Sequence, residues 1–173
     1  RPFSQQHAPR RRGRLVRRAA ARHSRLSGAC PSVRCMYETP EEMARLQALL
    51  DASHARATEH LRDIIHGDRV LSAQHLVALL TGMKVLSLAT VTARCEPRIS
   101  AVDGHFLHGS WSFSTSGTAA KARHMRDRPS VSVAHVDQEE LAVFSHGTVE
   151  ALAVGDADYD ETLAHWTRHY GSS

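Results

Sequence analysis

Apolar residues recur at helical spacing between residues 39 and 67. In "ETPEEM", Thr39 stands where a helix N-cap is expected, Pro40 takes the first helical position, and Glu42 completes a capping box. The apolar positions then keep the helical period as far as Gly67: Met43, Leu46, Leu49, Leu50, Leu61, Ile64 and Ile65. The pattern predicts one long first helix.

A second helix is predicted between Ser72 and Gly82. Serine is a preferred N-cap residue, and glycine commonly follows the C-terminus of a helix. Leu76, Leu79 and Leu80 are expected on the buried face of this helix. Residues 36–82 are therefore expected to form a helical N-terminal segment.

From Met83 the helical period gives way to alternating and β-branched runs. Five strand-like runs follow: "KVLSLATVT", "RISAVDGHFLHG", "SWSFSTS", "VSVAHVD" and "LAVFSHGTVEAL". Tight turns join most of them, a short helix over residues 118–128 separates the third run from the fourth, and a helix in "DADYDETLAHWTRHYG" follows the last. The pattern predicts a mainly β fold with flanking helices, in which the strands form an antiparallel barrel or a strongly curved sheet.

The charges are distributed unevenly along the chain. The formal net charge is +4, but residues 1–35 hold ten arginines and no acidic residue. The remainder has 12 Lys and Arg against all 18 Asp and Glu, so the body of the protein is acidic with a net charge of −6. Low hydrophobicity combined with charge of one sign predicts that residues 1–35 form a basic, disordered tail.

Three roles are compatible with this tail. It can bind phosphates without sequence preference, act as an organelle transit peptide, or be upstream sequence attached to a domain that begins at Met36. We favour the third role because a well-capped helix start follows Met36 at once, so nucleic acid is not an expected partner. No apolar stretch approaches the roughly 18 residues of a membrane span, and a cytoplasmic protein is expected.

Cysteine and histidine spacing does not indicate a metal site. Cys30, Cys35 and Cys95 form no disulfide framework, which favours free thiols in a reducing compartment. The 13 histidines include no His-Glu-x-x-His motif. His165 and His169 are four apart on a predicted helix and could chelate a metal together, but exposed polar helix positions are the commoner explanation.

The segment "TSGTAAK" (residues 115–121), here called the crook, ends a strand and begins a helix. Thr115, Ser116 and Thr118 supply hydroxyls, a glycine lets the backbone turn, and Lys121 adds a charge beside the unpaired N–H groups of the helix start. These donors form a cradle for an anion, in which charge-assisted hydrogen bonds of about 1.5–3 kcal/mol each can hold a phosphate. The alternative is that Lys121 is a solvated surface charge.

The strand before the crook carries further candidate residues. Arg98 and Ser100 alternate with apolar neighbours, so one face of the strand is polar and can meet a ligand; an outward, hydrated face is the alternative for Arg98. Gly104 allows the close approach of a flat ring or marks a bulge. His105 is the candidate proton donor, because a histidine changes charge near neutral pH, and a structural polar contact is the alternative.

The order of these motifs resembles the pyridoxamine 5'-phosphate oxidase-like, flavin-binding split-barrel superfamily. The matching order over residues 83–152 is a "LATV" strand, a turn with Pro97, a strand, an "F-x-T-x…K" segment, a helix ending in "RP", and two strands, the last with Gly147. The resemblance implies a six-stranded, antiparallel split β-barrel that forms a homodimer and binds FMN in a groove between subunits. One branch of the superfamily uses a deazaflavin coenzyme, factor 420, instead.

The resemblance also suggests cofactor contacts. Lys121 takes the position of the lysine in the family's "S-R-K" segment, which contacts the cofactor phosphate, and Thr115 matches the threonine of the family's "Y-T-N", with Ser116 in place of the asparagine. Combined with the pattern of polar residues, this gives the expected cofactor-binding set: Lys121, Thr115, Ser116, Thr118, Ser100 and Arg98.

The chain also departs from the family pattern. Ala119 and Ala120 replace the serine and arginine that precede the family's lysine. Ser100 and His105 stand where pyridoxamine phosphate oxidases carry the phosphate-binding arginine and lysine of an "R-x-V-L-L-K" strand. The C-terminal arginine and histidine that bind substrate in those enzymes have no counterpart before Ser173. Oxidation of pyridoxamine phosphate itself is therefore not expected.

Residues 83–173 are accordingly expected to form a split-barrel flavin-binding domain. The expected activity is that of an FMN- or deazaflavin-dependent oxidoreductase that acts on an unidentified small molecule. The alternative is a non-catalytic flavin- or haem-type ligand-binding module of the same fold. The sequence stops before the last strand that the resemblance implies, so a C-terminal truncation is also expected.

Overall fold

A computed structural model of the chain describes residues 2–8, 13–16 and 37–171. Five helices and seven strands lie in these ranges, together with a 3-10 turn at Gly67–Arg69. In chain order they are β1 (Pro2–Ala8), β2 (Gly13–Val16), α1 (Pro40–Ala55), α2 (Glu59–Ile64), α3 (Ala73–Leu79), β3 (Met83–Val91), β4 (Pro97–Leu107), β5 (Ser110–Ser116), α4 (Ala120–Asp127), β6 (Ser130–Asp137), β7 (Leu141–Leu152) and α5 (Tyr159–Tyr170).

Strands β3 to β7 form one antiparallel sheet that curls into a half-barrel, in the order β5-β4-β3-β6-β7. The β3–β4 ladder runs without interruption from the pair Met83–His105 to the pair Val91–Pro97. The β4–β5 and β6–β7 hairpins have tight turns, as the sequence predicted. The prediction of a mainly β fold with an antiparallel curved sheet and flanking helices is therefore confirmed.

The N-terminal region contributes two short strands. β1 pairs with both β5 and β7, and β2 pairs with β7. Most of the predicted disordered tail, residues 1–35, lies outside the described residues, as do Cys30 and Cys35. Disorder of the tail as a whole stays a prediction, although the two segments that are described form strands.

The inner face of the curled sheet makes the core of the protein. On β3, Leu86 and Leu88 are buried and Ser87 between them is exposed, because successive side chains of a strand point to opposite faces. Trp111 and Phe113 of β5 share this inner face and are fully buried. Helices α1, α3 and α4 cover the same core with Leu46, Leu76, Val77, Leu80 and Met125.

The first predicted helix is divided in two, so three helices rather than two precede the main sheet. The guanidinium of Arg62 on α2 donates to the backbone oxygens of Ala55 and Ala57, at 3.5 and 2.7 Å, where α1 has ended. The break lets Leu61 fold back beside Leu50, and both line a groove of about 200 Å³. The apolar spacing continues across the break, which is why the periodicity alone predicted a single helix.

The last of these helices is also shorter than predicted. α3 ends at Leu79, and Gly82 lies beyond it with φ +80°. Leu76 and Leu80 are buried as expected, but Leu79 is 40% exposed. Its predicted place in the core was therefore wrong.

Gly104 was expected either to mark a bulge or to allow the close approach of a flat ring, and it does neither. It pairs regularly with both neighbouring strands, so it does not mark a bulge. A Cβ at this position would lie 2.3 Å from Cδ1 and 2.7 Å from Cγ of Leu86, which is itself fully buried. Glycine is needed because Leu86 of the neighbouring strand occupies the space over its Cα, not because a flat ring approaches it.

We expect Gly104→Ala to lower the free energy of unfolding by about 1–3 kcal/mol, since an added methyl group would overpack the site of Leu86. Chemical denaturation measures this loss. In a Leu86→Ala background the same substitution should cost much less, because the clashing side chain has been removed. Equal costs in the two backgrounds would show that Leu86 does not set the requirement for glycine.

Candidate functional site

The crook joins the end of β5 to the start of α4, as predicted. Ala119 is the N-cap of α4 and provides no side-chain hydrogen bond to the first turn. The N–H groups of that turn therefore lack the side-chain acceptor that serine or aspartate would have supplied. The segment offers donors at the positive end of a helix dipole, which is an arrangement that suits an anion.

The hydroxyls of the crook are brought together. The Oγ of Ser116 and the Oγ1 of Thr118 lie 2.8 Å apart, and the backbone N–H of Thr118 donates to Ser116 Oγ at 3.3 Å. Thr115 is half-buried at the end of β5. Two of the three predicted hydroxyl groups therefore already share a hydrogen bond with each other.

Lys121 connects the crook to β4. Its Nζ donates to the backbone oxygen of Ala101 at 3.4 Å. Strand β4 pairs with β5 only from Gly104 to Leu107, so the two strands part before they reach Ala101. We call this opening, between Ala101 and the crook, the notch; Lys121 reaches across it.

Two arginines that the sequence analysis missed also contact the crook. Arg123 Nη1 donates to the backbone oxygen of Thr118 at 2.9 Å, and Arg126 Nη2 donates to that of Gly117 at 3.3 Å. The two side chains are three apart on α4, so they lie on one face of this helix. That spacing, combined with the turn at Gly117, was the signal that could have identified them.

The structure does not bring Arg98 and Ser100 to the crook. Arg98 lies at the start of β4, where Nη2 bonds Glu96 Oε2 at 2.9 Å and Nη1 donates to the backbone oxygen of Pro97. Ser100 is half-buried opposite Leu88 of β3. Neither residue hydrogen-bonds to the crook within the described part of the chain.

His105 lies on the outer face of the sheet, where it is 1% exposed. Its Nδ1 lies 2.9 Å from Nε2 of His165, and its Nε2 lies 3.1 Å from the hydroxyl of Tyr170; both partners belong to α5. Burial, together with the neighbouring His165 and His169, lowers the pKa of His105 from 6.5 to about 4. His105 is therefore neutral near pH 7, and both of its ring nitrogens have partners.

The sequence favoured exposed helix positions for His165 and His169 over joint metal binding; His169 is exposed, but His165 is buried. His165 points its Nε2 at His105, while the ring of His169 packs edge-on against the ring of His105 with 4.9 Å between centroids. Among residues 37–171, no group of three or more His, Cys, Asp or Glu side chains could hold a metal ion. Cys95 is a free, exposed thiol.

The pKa of His108, at the β4–β5 turn, is shifted in the opposite direction from that of His105. Its Nδ1 lies 3.2 Å from Oε2 of Glu42 on α1, and its Nε2 lies 3.3 Å from Oε1 of Glu161 on α5. Burial lowers the pKa of His108, but the hydrogen bond to Glu42 and the charges of both carboxylates outweigh this and raise it. His108 therefore links both flanking helices to the sheet most strongly when it is protonated.

The two histidines predict opposite effects of pH on stability. The pKa of His105 is lower in the folded chain than in the unfolded chain. Its contribution to the free energy of unfolding is therefore complete above pH 6.5 and is lost as the pH falls toward 4, a change of about 3 kcal/mol. The raised pKa of His108 adds stability below pH 6.5, which is lost as the pH rises through the raised value.

We expect His105→Gln to flatten the loss of stability between pH 6.5 and 4, as measured by chemical denaturation at several pH values. His60→Gln, at an exposed position on α2, is the matched control for the loss of an imidazole. A His105→Gln curve that runs parallel to that of the unsubstituted protein would contradict the assignment.

No helix in the described ranges is both long and apolar enough to cross a membrane. Comparisons of the chain with protein-family models, with curated proteins and with solved structures gave no match. The superfamily resemblance therefore stays a prediction.

Proposed function

We propose that the protein is an FMN- or deazaflavin-dependent oxidoreductase of the split-barrel type, which holds the anionic end of its coenzyme at the notch and acts on a small molecule. The observation that carries this proposal is the contact between Lys121 Nζ and the backbone oxygen of Ala101, because it sets a cation where β4 and β5 part. A cation between two diverging strands can meet a ligand that enters from outside.

The charge at the notch suits a phosphate. Within the described residues, Lys121 and Arg123 form no ion pair, and each donates to a neutral backbone oxygen. Their positive charges are therefore not neutralised by a carboxylate contact. Together with the uncapped first turn of α4, these two side chains provide full positive charges and N–H donors within residues 119–123.

The coenzyme, when bound, supplies the hydride chemistry through its ring system. The contribution of the chain is to bind and orient that coenzyme. Lys121 and the start of α4 fix the anionic end, and the outer face of β4 beside Ala101 offers a surface for the rest of the molecule. No proton donor is assigned at the notch, since His105, the candidate from the sequence, is buried and already has two partners.

We further propose that the protein is a homodimer. Val85 on β3 and Ile99 on β4 are 58% and 76% exposed, and both lie on the outer face of the sheet, on either side of Ala101 along the β3–β4 ladder. Exposed apolar side chains that share a surface commonly mark a protein contact. A second copy on this face would bury them and cover the notch beside Ala101, so each subunit would help to enclose the coenzyme of the other.

Binding of FMN and of riboflavin tests the phosphate site directly, because riboflavin lacks the phosphate. We expect Lys121→Ala to weaken FMN binding by roughly 10- to 100-fold, which corresponds to one charge-assisted contact, and to leave riboflavin binding unchanged. Titration followed by flavin fluorescence measures both affinities, and factor 420 is titrated in the same way.

The control for this experiment is Arg94→Ala, which removes one positive charge from an exposed turn away from the crook. It should leave both affinities unchanged. Failure of the unsubstituted protein to bind FMN and factor 420 would refute the proposed function. Equal losses for FMN and riboflavin would show that Lys121 does not contact the phosphate.

The second candidate is a non-catalytic module that holds a flavin- or haem-type ligand. The position of His105 favours it, since the histidine that the sequence offered as proton donor is buried beneath α5. We expect the enzyme and the module to differ in turnover. In a stopped-flow assay with quinone or dye acceptors, only an enzyme would oxidise its bound, reduced coenzyme faster than the same acceptors oxidise free reduced coenzyme. Rates equal to those of free coenzyme would favour the module.

The dimer face is tested by Ile99→Lys, which places a charge in the proposed contact. We expect this variant to be monomeric in sedimentation velocity experiments at concentrations where the unsubstituted protein is dimeric. Val154→Lys changes an exposed apolar residue in the turn after β7, outside the β3–β4 ladder, and should remain dimeric. A monomeric unsubstituted protein, or equal effects of the two substitutions, would refute this interface.

A further inference from the structure

A small cavity lies where α5 covers the outer face of the sheet. Tyr37, Glu38, His105 and His165 are among the residues that line it, and its volume is about 10 Å³. That is close to the least space that one water molecule needs. The cavity belongs neither to the crook nor to the notch, and its role is independent of the proposed function.

Two polar atoms at this cavity have no hydrogen-bond partner in the protein. They are Oε2 of Glu38 and Nδ1 of His165, and both are fully shielded from solvent. The other oxygen of Glu38, Oε1, accepts the backbone N–H of Gly109 at 3.4 Å. A buried polar atom without a hydrogen-bond partner destabilises the folded protein, so a bridging group between these two atoms would be strongly favoured.

His165 is the inner end of a chain of hydrogen bonds. The chain continues from His165 Nε2 to His105 Nδ1 at 2.9 Å, and from His105 Nε2 to the hydroxyl of Tyr170 at 3.1 Å. A neutral imidazole donates through one nitrogen and accepts through the other. Because His165 Nε2 contacts His105 Nδ1, one of these two atoms must carry the proton and the other must accept it. Both histidines are therefore either in the Nδ1–H form or in the Nε2–H form.

Glu38 determines which of the two directions is adopted. As a carboxylate it can only accept hydrogen bonds, so a water molecule beside it must donate to Oε2. The oxygen of that water then accepts a hydrogen bond from His165 Nδ1–H. His165 Nε2 in turn accepts from His105 Nδ1–H, and His105 Nε2 accepts from the hydroxyl of Tyr170.

We propose that this cavity is a binding site for one water molecule that joins Glu38 to His165, and that Glu38 thereby holds both His105 and His165 in the Nδ1–H form. Glu38 is a positioning residue in this arrangement, since it acts on the imidazoles through the water. The connected groups span the segment before α1, the β4 strand and the α5 helix. They hold α5 on the sheet in a single pattern of donors and acceptors.

Glu38→Gln provides the test, because a glutamine at this position would reverse the donor and acceptor roles along the row of hydrogen bonds. The amide oxygen is expected to keep the bond from the Gly109 N–H, which turns the amide NH₂ group toward the cavity. The water then accepts from the amide and donates to His165 Nδ1. We expect both histidines to change from the Nδ1–H to the Nε2–H form, as read from ¹⁵N chemical shifts of histidine-labelled protein at pH 7.5.

Glu161→Gln is the matched control. It removes a carboxylate that contacts His108 on the same side of the sheet, and it should leave the tautomers of His105 and His165 unchanged. Circular dichroism verifies that each variant is folded. A water-to-amide cross-relaxation signal at the cavity is expected in the unsubstituted protein.

Nε2–H forms in the unsubstituted protein, or Nδ1–H forms that persist in a folded Glu38→Gln variant, would overturn the proposal. If Glu38→Gln does not fold, Glu38→Asp supplies a second test: it keeps an accepting carboxylate, so both histidines should stay in the Nδ1–H form. A change of tautomer in Glu38→Asp would equally overturn it.

Discussion

The inner face of the curled sheet is apolar and has to be buried, and this requirement positions the helices around it. Leu86, Leu88, Trp111 and Phe113 fill this face, and the helices before and within the sheet cover it. The sheet can hold Leu86 at this position only because Gly104 presents no side chain beneath it. An apolar interior of this size supplies most of the favourable free energy of folding, and the polar features of the protein are arranged on the outside of it.

The same curvature creates the candidate site. Strands β4 and β5 pair near their common turn and separate toward the other end, so the crook at the end of β5 faces the middle of β4 across an opening. Lys121 lies at this point because α4 begins at Ala120, within the crook, and packs its buried residues, Ala122 and Met125, onto the core. The packing of a short helix thus fixes where the cation of the site is placed.

The outer face of the sheet is divided between two different surfaces. Near the β4–β5 turn it is covered by α5, which is attached through polar contacts of His105 and His108 rather than by a broad apolar interface. Farther along β4 it is uncovered, and Ile99 is among the most exposed apolar residues of the described chain. The polar part suits a fixed intramolecular contact, because buried histidines require defined partners, whereas the apolar part suits association with another surface.

Local patterns in the sequence were enough to predict the class of fold and the location of the crook. Alternation of apolar residues, turn signals and the capping box at Thr39 are local properties, so they identified the five strands, the start of α1 and the strand-to-helix turn before Lys121. The tertiary structure decided which residues meet. The first helix is divided, and the apolar spacing gave no sign of this because it continues through the break. Arg123 and Arg126 contact the crook, whereas Arg98 lies away from it. His105 is buried under a helix that follows 60 residues later in the chain. Such contacts depend on the curl of the sheet and on the docking of helices, which bring together residues that are far apart in the sequence and that no local pattern relates.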